Sequence, residues 1–383
     1  MQTPPKLAIT LTTINDGRFL ERFRPLLAAG GDRLALVIAG DSKTPPECAS
    51  RAARMAAEGF DVRYLGLDEQ AEILDAAGLT QQFVPFDSDN RRNLAVLEAW
   101  RTGADVFVSL DDDNFPLNPH EFIDCYSQVG RVRRLPVAQG AGRWPNVCAM
   151  LDIRSGWTNQ PIAVFARGHP HARRDGASIG LSVGPEEQAT VLAHVGLWEG
   201  HPDVDAATRA ALDPVSRAML RPSVMLAPAH ARAPMSTQNI AVARALIPAW
   251  WYVRMGPLAS GRPLDRFGDM FQAYFASMVI DSIGGRFAFG LPLVRHERNP
   301  HSLLRDLAGE ISGMALLEDL LAYIETVPAA TSAVQAYRAI AEGLVDALPK
   351  GGGMLGDDAR HWADQTAQSM LAWTDACARL DME

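Results

Sequence analysis

Three adjacent aspartates follow an apolar segment of the chain. The stretch SLDDDNFP places Asp111, Asp112 and Asp113 directly after VFVSL, whose composition predicts a buried strand. Like charges crowded at the end of a buried strand do not stabilise it, so they need a positive partner. Carboxylate oxygens suit hard cations such as Mg²⁺ or Mn²⁺, and Asp111 and Asp113 are spaced to face one ion. The alternative interpretation is a solvated acidic turn.

A second polar cluster, RHERNPH (residues 295–301), follows the apolar segment FAFGLPLV. Its first histidine, His296, is a candidate third metal ligand. Arg295, Arg298 and Asn299 are candidate donors to phosphate groups. The alternative is a basic surface loop with ordinary histidines, His301 among them.

A third cluster, FARGHPHARRDG (residues 165–176), brings three arginines and two histidines together behind the apolar segment PIAVFA. An arginine in this segment is a candidate for stabilising phosphate charge or acting on a sugar. The alternative is a general anion-binding patch. The negative net charge of the chain argues against that alternative.

Further polar residues stand where strands are expected to end or helices to begin, and they are candidate contacts to a nucleotide. Asp41, at the end of the second predicted strand, has oxygens that accept hydrogen bonds from a base or ribose. Helix capping is the competing explanation for Asn93. The candidate nucleotide-binding residues are Thr12, Thr13, Asn15, Asp41, Arg91, Arg92, Asn93 and Asp112, with Arg295, Arg298 and Asn299 from the second cluster.

The elements that position these residues alternate between strand and helix patterns. KLAITLTTI, LALVIAGD, VRYLGL and ADVFVSL predict strands, separated by segments with helical spacing. Such alternation predicts an α/β fold with a mainly parallel sheet, in which ligands bind beyond the carboxyl ends of the strands. Both Asp41 and the aspartate triad lie at such ends.

The rest of the chain is less uniform. Residues 130–235 have weak periodicity and predict long loops with a few strands. AVARALIPAWWYV predicts a helix, MFQAYFASMVIDSIGG a strongly amphipathic one, and FAFGLPLV a strand. From Leu303 onward the pattern is helical. We therefore predict a catalytic domain over residues 1–302 and a C-terminal helical region over residues 303–383.

Composition limits the functional classes. The 383 residues are 48% hydrophobic and 21% charged, which is ordinary for a globular protein, and the formal net charge of −9 gives no nucleic-acid footprint. The four cysteines form no CxxC pair, which favours reduced thiols. No signal peptide and no membrane span are recognised. We expect a cytoplasmic protein that acts on small molecules and binds no nucleic acid.

Several motifs in fixed order make the chain resemble a known family. SLDDDNF, FARGHPHARRDG, HVGLWEGHPDVDAAT, MSTQNIAVARALIPA, RFGDMFQAY and GLPLVRHERNP are similar to motifs of the reversibly glycosylated polypeptides. That family includes the plant UDP-arabinopyranose mutases and their bacterial relatives. ITLTTIND near the start and SMLAWTDACARLD near the end resemble the same proteins, so the resemblance extends over most of the chain.

The resemblance implies a GT-A-like (Rossmann-like) nucleotide-sugar-binding domain, a divalent metal (Mn²⁺ or Mg²⁺) and no flavin. It implies a mutase that interconverts pyranose and furanose forms of a nucleoside diphosphate sugar. The arginine that becomes reversibly glycosylated in the family matches Arg167. Arg174 matches a later arginine, and Asp175 stands where the family has glutamate. Together with Asp269, these are the candidate catalytic residues.

Three departures from the family pattern affect the expected substrate and activity. Gly268 replaces one of two adjacent acids and leaves Asp269, His169 stands in place of an aromatic residue, and the turn AGDSKTPP differs where a base would bind. The base is therefore uracil or guanine. A glycosyltransferase, or a non-catalytic nucleotide-sugar-binding subunit, is the alternative function. The C-terminal helices are suited either to packing on the catalytic domain or to forming a homo-oligomer.

Overall fold

A computed structural model describes residues 4–140, 142–221, 223–300, 302–351 and 353–381. His301, named above as part of the second polar cluster, lies outside these residues. The described part of the chain forms a mixed α/β fold built on one large sheet. Its strands are β1 (Leu7–Thr12), β2 (Leu34–Ala39), β3 (Val62–Leu65), β4 (Val106–Leu110), β5 (Asn114–Pro116), β6 (Val132–Gln139), β7 (Leu151–Ser155), β8 (Ser182–Gly200), β9 (Pro214–Met219), β10 (Val224–Leu226), β11 (Asn239–Ala243) and β12 (Arg286–His296). Its helices are α1 (Leu20–Gly30), α2 (Pro46–Ala57), α3 (Leu67–Ala77), α4 (Arg92–Arg101), α5 (Pro119–Tyr126), α6 (Ala206–Leu212), α7 (Gly268–Ser282), α8 (Leu303–Ile324), α9 (Ala333–Gly343) and α10 (Asp357–Leu380).

The first four strands form the parallel half of the sheet, in the order β3-β2-β1-β4. β1, β2 and β4 are apolar and buried almost throughout, as expected for strands covered by helices on both faces. Parallel strands end at the same edge of a sheet. The residues after β1, β2 and β4, including the aspartate triad, are therefore brought together.

The other half of the sheet is mixed. β11 lies antiparallel between β4 and β8, and β8 in turn pairs in parallel with β12. His296, the last residue of β12, is thus carried to the edge at which β4 ends. The α/β class, the aspartates after the fourth strand and the C-terminal helices agree with the predicted GT-A-like architecture.

The central segment is more regular than its sequence pattern suggests. Residues 130–235, predicted to be mostly loops, contain β6 to β10 and the 19-residue strand β8. The first half of β8 is largely exposed and pairs only with β6, whereas its second half is buried in the sheet. The exposed first half of β8 carries no apolar periodicity, because its side chains do not pack on the core.

The helix predicted for residues 241–253 is wrong. The segment begins in β11, turns through a short 3-10 helix (Arg244–Ala249), and then continues without regular structure. Most of its side chains are buried, so the apolar run reflects burial on several sides rather than one helical face. Pro248 also lies in this segment and opposes a continuous α-helix.

Helix α7 and the C-terminal helices complete the core. α7 is present as predicted, but it is buried on every side from Gly268 to Ile280 rather than on one face. α8, α9 and α10 belong to the same continuous hydrophobic cluster as the sheet. The boundary that we propose at residue 302 falls between β12 and α8. Among the described helices, none is both long enough and apolar enough to cross a bilayer.

Candidate active site

A cavity of 380 Å³ opens beyond the carboxyl ends of β1, β2 and β4. We call it the strand-end cavity. Its volume lies in the range of pockets that hold a whole small ligand, about 300–1,000 Å³. The residues predicted from sequence that line it are Thr12, Thr13, Asn15, Asp41, Arg92, Asp111, Asp112, Asp113, Arg167, Asp269 and Asn299.

The three aspartates of the triad have different partners. Asp111 accepts a hydrogen bond from the buried Arg92 guanidinium. Asp112 accepts from the Thr13 hydroxyl and, at 2.8 Å, from the Asn15 amide, so it ties β4 to the end of β1. Burial raises the pKa of Asp112. Of the three, Asp112 is therefore the one most engaged in holding the loops of the site together.

Asp113 faces the end of β12. Its Oδ2 accepts from the Asn299 backbone N–H at 3.1 Å and lies 3.5 Å from His296 Nε2. Burial alone would raise the pKa of Asp113, but His296 and the Asn299 N–H outweigh it and lower that pKa below its ordinary value. Asp113 is therefore held as a carboxylate.

His296 is buried and oriented by one backbone bond. Its Nδ1 lies 2.7 Å from the carbonyl oxygen of His201. A carbonyl oxygen only accepts hydrogen bonds, so Nδ1 carries a proton, and this bond holds Nε2 on the side of Asp113. A backbone carbonyl that fixes the tautomer in this way is a common outer-shell partner of metal-binding histidines.

The predicted metal ligands are only partly assembled. No three His, Cys, Asp or Glu side chains of the described ranges are grouped closely enough to hold a metal ion. The reason is that Asp111 turns to Arg92, whereas Asp113 and His296 face each other. A carboxylate and an imidazole nitrogen that face each other beside the cavity are of the donor types that bind a divalent ion such as Mn²⁺ or Mg²⁺.

The opposite wall is built around Arg167, which follows the apolar segment PIAVFA. Its Nε and Nη2 donate to both oxygens of Asp203 at 2.8 Å. Nη1 and Nη2 donate to the two oxygens of Asp269 at 3.0 and 2.8 Å, and Nη1 also contacts the Arg266 carbonyl oxygen. All three side chains of this triad, which we call the Arg167 clamp (Arg167, Asp203 and Asp269), are buried.

The Arg167 clamp fixes the protonation of its members. Burial alone would lower the pKa of the Arg167 guanidinium, but Asp203 and Asp269 outweigh it and hold that pKa well above its ordinary value. In the same way burial would raise the pKa of Asp203, and Arg167 instead lowers it to about 2. Arg167 is therefore a firmly charged cation, and the two carboxylates oppose the proton loss that a nucleophilic arginine requires.

Gly268 has a steric explanation. A Cβ at this position would lie 2.5 Å from the Val253 carbonyl oxygen and 2.6 Å from the Tyr252 ring. The Tyr252 hydroxyl donates to Asp89 at 2.6 Å, and both residues line the strand-end cavity. A second acidic side chain next to Asp269 would therefore displace Tyr252 from the cavity wall.

Five predicted site residues are brought neither to the strand-end cavity nor to the smaller pocket beside it. The Arg91 guanidinium is buried against Gln70, and the Asn93 side chain exchanges hydrogen bonds with the Tyr252 backbone. Arg174 holds the His169 carbonyl oxygen and Asp205. The remaining two are Asp175, an exposed residue that caps the backbone N–H groups of Ala177 and Ser178, and Arg295, which pairs with Glu199 at 2.9 Å.

Asp41 and Arg92 line the strand-end cavity but are largely committed within the protein. Asp41 accepts from the backbone N–H groups of Asp87 and Ser88 at 3.0 and 3.1 Å. The Arg92 guanidinium donates to Ser109 at 2.6 Å in addition to Asp111. Their side chains therefore shape the cavity at least as much as they offer groups to a ligand.

His169 occupies an aromatic environment. Its ring centre lies 4.8 Å from that of Phe165 and 6.3 Å from that of Trp144, and only 1% of the residue is exposed. Burial lowers the pKa of His169 to about 4. The side chain is therefore a neutral ring at physiological pH, like the aromatic residue it replaces.

A smaller pocket of 80 Å³ adjoins the strand-end cavity, and the two share Asp111, Asp113, Gln238 and Arg266. We call it the arginine pocket. Its other lining residues are Pro202, Asp203, Val204, Arg209, His296 and Arg298. Sequence reasoning identified Arg298 and His296 but missed the others. Asp203 lies within HVGLWEGHPDVDAAT, one of the motifs that carry the family resemblance. An acidic residue inside such a motif is the sequence feature that could have identified Asp203 as a site residue.

Comparison with protein families decides the classification. The model of the family described as "Reversibly glycosylated polypeptide" matches residues 159–381, more than half of the 383 residues. The chain belongs to the reversibly glycosylated polypeptide family. The matched region of this family member includes Arg167, Asp203, Asp269 and His296, while the aspartate triad precedes it.

Curated relatives of the chain are plant proteins of modest identity. UDP-arabinopyranose mutase 1 of Arabidopsis thaliana is 26% identical over 223 residues, which are 57% of this chain and 56% of that protein. UDP-arabinopyranose mutase 1 of Oryza sativa subsp. japonica is 27% identical over 57% of this chain and 55% of that protein. UDP-arabinopyranose mutase 3 of Arabidopsis thaliana is 29% identical over 49% of each chain. The chain thus spans about half the length of the curated relatives it matches.

Two solved structures are similar to this chain, both with low sequence identity and a low TM-score. Glucosyl-3-phosphoglycerate synthase from Mycobacterium tuberculosis, in complex with Mn²⁺, UDP and phosphoglyceric acid, is 13% identical with a TM-score of 0.41 over 85% of this chain and 80% of that one. The mannosyltransferase PcManGT from Pyrobaculum calidifontis, in complex with GDP-Man and Mn²⁺, is 11% identical with a TM-score of 0.37 over 99% and 86%.

Proposed function

We propose that the protein is a metal-dependent, flavin-independent mutase that interconverts the pyranose and furanose forms of a UDP- or GDP-linked sugar. One observation carries the proposal. The strand-end cavity is lined by Asp113, a candidate metal ligand that faces His296, and by Arg167 and Asp269 of the buried Arg167 clamp. Membership of the reversibly glycosylated polypeptide family supports the same activity.

The diphosphate of the substrate is the group that the acidic wall would hold through a cation. Asp113 and His296, with Asp111 after its release from Arg92, would bind Mn²⁺ or Mg²⁺. The ion would offset the negative charge of the departing diphosphate. Asn299 holds Asp113 through its backbone N–H, and the His201 carbonyl oxygen holds His296. These two bonds keep the ligand atoms oriented before the ion binds.

The nucleoside would lie along the ends of β1 and β2. Thr12, Thr13 and Asn15 line that side of the strand-end cavity, together with Asp41. Thr13 and Asn15 are positioned by Asp112, so this residue links the nucleoside side to the metal side. The base is uracil or guanine.

Arg167 acts as a fixed cation at the sugar end of the cavity. Its pKa is raised by two carboxylates, which favours electrostatic stabilisation over a covalent glycosyl-arginine. Asp269 contacts Arg167, so it is the carboxylate available to accept a proton if a covalent step occurs. Asp175 is exposed and contacts neighbouring backbone N–H groups, which leaves it no direct part in such a step.

The ring exchange itself requires bond breaking at the anomeric carbon. The bond to the diphosphate oxygen breaks, and the diphosphate keeps the electron pair, which gives the carbon oxocarbenium character. A different hydroxyl of the sugar then attacks the anomeric carbon, the bond between that carbon and the former ring oxygen breaks, and the proton of the attacking hydroxyl passes to the former ring oxygen. The diphosphate, still bound, re-forms the bond to the anomeric carbon. The net reaction is an isomerisation, with no acceptor and no redox partner.

Incubation of the protein and Mn²⁺ with a panel of UDP- and GDP-sugars, without acceptor, tests the proposal. We expect chromatography to show a new peak of unchanged mass, absent in EDTA, for one of the two bases. Free nucleoside diphosphate as the only product would instead indicate a glycosyltransferase that hydrolyses its donor. Binding of a nucleotide sugar without any conversion would indicate a non-catalytic subunit.

The alternative function, a non-catalytic nucleotide-sugar-binding subunit, is less well supported once the surroundings of Gly268 are considered. It rested on the missing acid at Gly268, but a side chain there would collide with Tyr252 and the Val253 carbonyl oxygen. Asp269, the remaining acid, is fully engaged with Arg167. The glycine is therefore explained by packing.

A further inference from the structure

Arg209, in the short helix α6, is a buried cation without an acidic partner. Only 6% of the residue is exposed. Its Nη2 donates to the Pro202 carbonyl oxygen at 2.6 Å, and its Nη1 lies 3.5 Å from Nδ1 of His201. Among the described residues, no carboxylate forms an ion pair with it. Burial lowers the pKa of Arg209 to about 10, so it remains charged at neutral pH.

The other arginines around it are neutralised. Arg266 pairs with Glu310 at 2.8 Å, and Arg298 pairs with Asp306 at 3.0 Å. A buried charge without a counter-ion is costly to the folded protein, and that cost is recovered when an anion binds beside it. Arg209 is therefore the arginine of this region whose charge is left for an external anion.

The surroundings of Arg209 define the size of that anion. Arg209 lines the arginine pocket of 80 Å³, next to Arg298 and His296. This volume is far below that of a cavity for a whole ligand, about 300–1,000 Å³, but it admits a single small group. The arginine pocket and the strand-end cavity share Asp113 and Arg266 in their linings. A phosphate of a nucleotide bound in the strand-end cavity is a group of suitable charge and size.

We propose that Arg209 is a further substrate-binding residue, which receives a phosphate group of the nucleoside diphosphate sugar and retains the diphosphate during ring exchange. This inference rests on the proposed function. A mutase must keep its leaving group bound until the sugar has closed again, and the departing diphosphate gains negative charge as the bond breaks. Because Arg209 forms no ion pair with a carboxylate of the described residues, its guanidinium is available to stabilise the negative charge that the diphosphate gains.

Equilibrium binding to Arg209→Gln tests the inference. We would measure the affinities of UDP and GDP, and of uridine and guanosine, which lack the diphosphate. The expected result is about 10- to 100-fold weaker binding of the preferred diphosphate, with nucleoside binding unchanged. With substrate, the ratio of released diphosphate to isomerised sugar should rise. The matched control is Arg217→Gln, at an exposed arginine near the same loop, and it should change neither quantity.

Three outcomes would overturn the inference. Unchanged diphosphate affinity would exclude a phosphate contact. Equal weakening of nucleoside and diphosphate would show that Arg209 only orders the loop at Pro202. If wild-type protein bound no UDP or GDP, the proposed function would fail together with the inference, whereas normal wild-type binding with an unaffected variant refutes the inference alone.

A second variant covers failure of Arg209→Gln to fold. Arg209→Lys keeps a positive charge but loses the planar donor geometry. The inference then requires a smaller loss of diphosphate affinity, again with the nucleoside unaffected. Wild-type affinity for both ligands in this variant, or equal losses for both, would overturn it.

Discussion

The two walls of the strand-end cavity handle charge in opposite ways. On the aspartate wall, Asp111, Asp112 and Asp113 lie together, and among the described residues Arg92 is the only arginine or lysine that pairs with them. On the other wall, the Arg167 clamp surrounds its cation with two carboxylates. The first wall therefore has negative charge left for an external cation. The second is internally neutralised and rigid.

This difference in charge indicates that the aspartate wall binds an external cation, whereas the Arg167 clamp holds a positive charge in a fixed position. Thr13 and Asn15, which hold Asp112, are neutral donors and do not offset its charge as a protein cation would. A guanidinium enclosed by two carboxylates has a fixed place and a fixed protonation state. Changes in the aspartate wall should thus alter metal dependence, whereas changes in the Arg167 clamp should alter chemistry and stability.

Replacement of Arg167 by lysine should have the largest effect. Lysine keeps the charge but cannot engage Asp203 and Asp269 in the same planar, bidentate way. We expect the rate of isomerisation to fall about 10²- to 10³-fold, with nucleotide binding mostly retained. The measurement is the single-turnover rate beside nucleotide affinity. Arg173→Lys, at an exposed arginine paired with Glu325, serves as the control. Wild-type isomerisation in Arg167→Lys would contradict the assigned role.

Asp113→Asn should weaken metal binding without changing the Arg167 clamp. Loss of an outer-shell partner typically lowers metal affinity by about 10- to 100-fold. Loss of a direct carboxylate ligand should be at least as costly, so we expect Mn²⁺ affinity to fall by about 100-fold. Titration calorimetry with Mn²⁺ measures it. Glu297→Gln, which removes an exposed carboxylate paired with Arg22 near the same loop, should bind Mn²⁺ normally. Equal Mn²⁺ affinity in Asp113→Asn and wild type would remove Asp113 from the ligand set.

Asp203→Asn should reduce the free energy of unfolding by about 3 kcal/mol at pH 7, because it removes one partner of a buried charge. The pKa of Asp203 is lowered to about 2 in the folded protein. The ionised carboxylate therefore stabilises the fold above its unfolded pKa near 4, and this contribution is lost as the pH falls toward 2.

Denaturant unfolding of wild type and Asp203→Asn between pH 7 and pH 2 tests the predicted direction of this pH dependence. The difference in unfolding free energy should be largest at neutral pH and should shrink in acid. A difference that stayed constant down to pH 2 would mean that Asp203 acts by packing rather than by its charge.

His169→Phe should have the smallest effect, and it should stabilise the protein in mild acid. The pKa of His169 is lowered to about 4, so the buried neutral ring stabilises the fold above about pH 6.5, and this contribution is lost as the pH falls toward 4. Phenylalanine does not titrate. At pH 5 we expect the variant to be more stable than wild type by about 2 kcal/mol, relative to their difference at pH 8.

Thermal or denaturant unfolding at pH 5 and pH 8 measures the effect of His169→Phe. His120→Phe, at an exposed histidine, should show no such pH dependence. If both variants behaved alike, the pKa of His169 would not be lowered by its burial.

The sequence predicted the aspartate wall better than the Arg167 clamp. Asp111 to Asp113 follow a strand whose apolar run is unambiguous, and parallel strands must end at one edge. Arg167 was recognised from its motif. Its partner Asp203 lies 36 residues away across a segment without apolar periodicity. No local pattern records such a pairing.

The direction in which each side chain points could not be predicted from the sequence either. Arg91 and Arg92 are adjacent and equally polar, yet Arg91 is enclosed beside Gln70 while Arg92 reaches Asp111. Their directions depend on where α4 begins and on what packs around its first turn. The helix predicted over residues 241–253 failed for a related reason, since a segment buried on several sides shows no single apolar face.

By itself, the sequence determined the α/β alternation, the strand ends that carry Asp41 and the aspartate triad, and the motifs that indicate the family. These are local properties, because apolar spacing and short motifs are contained within single elements. Only the tertiary structure decided that Arg167 is enclosed by Asp203 and Asp269 and that Tyr252 excludes a side chain at Gly268. It also decided that Arg209 forms no ion pair with a carboxylate of the described residues. Partners, clashes and unpaired charges arise between distant segments, so they exist only once the chain has folded.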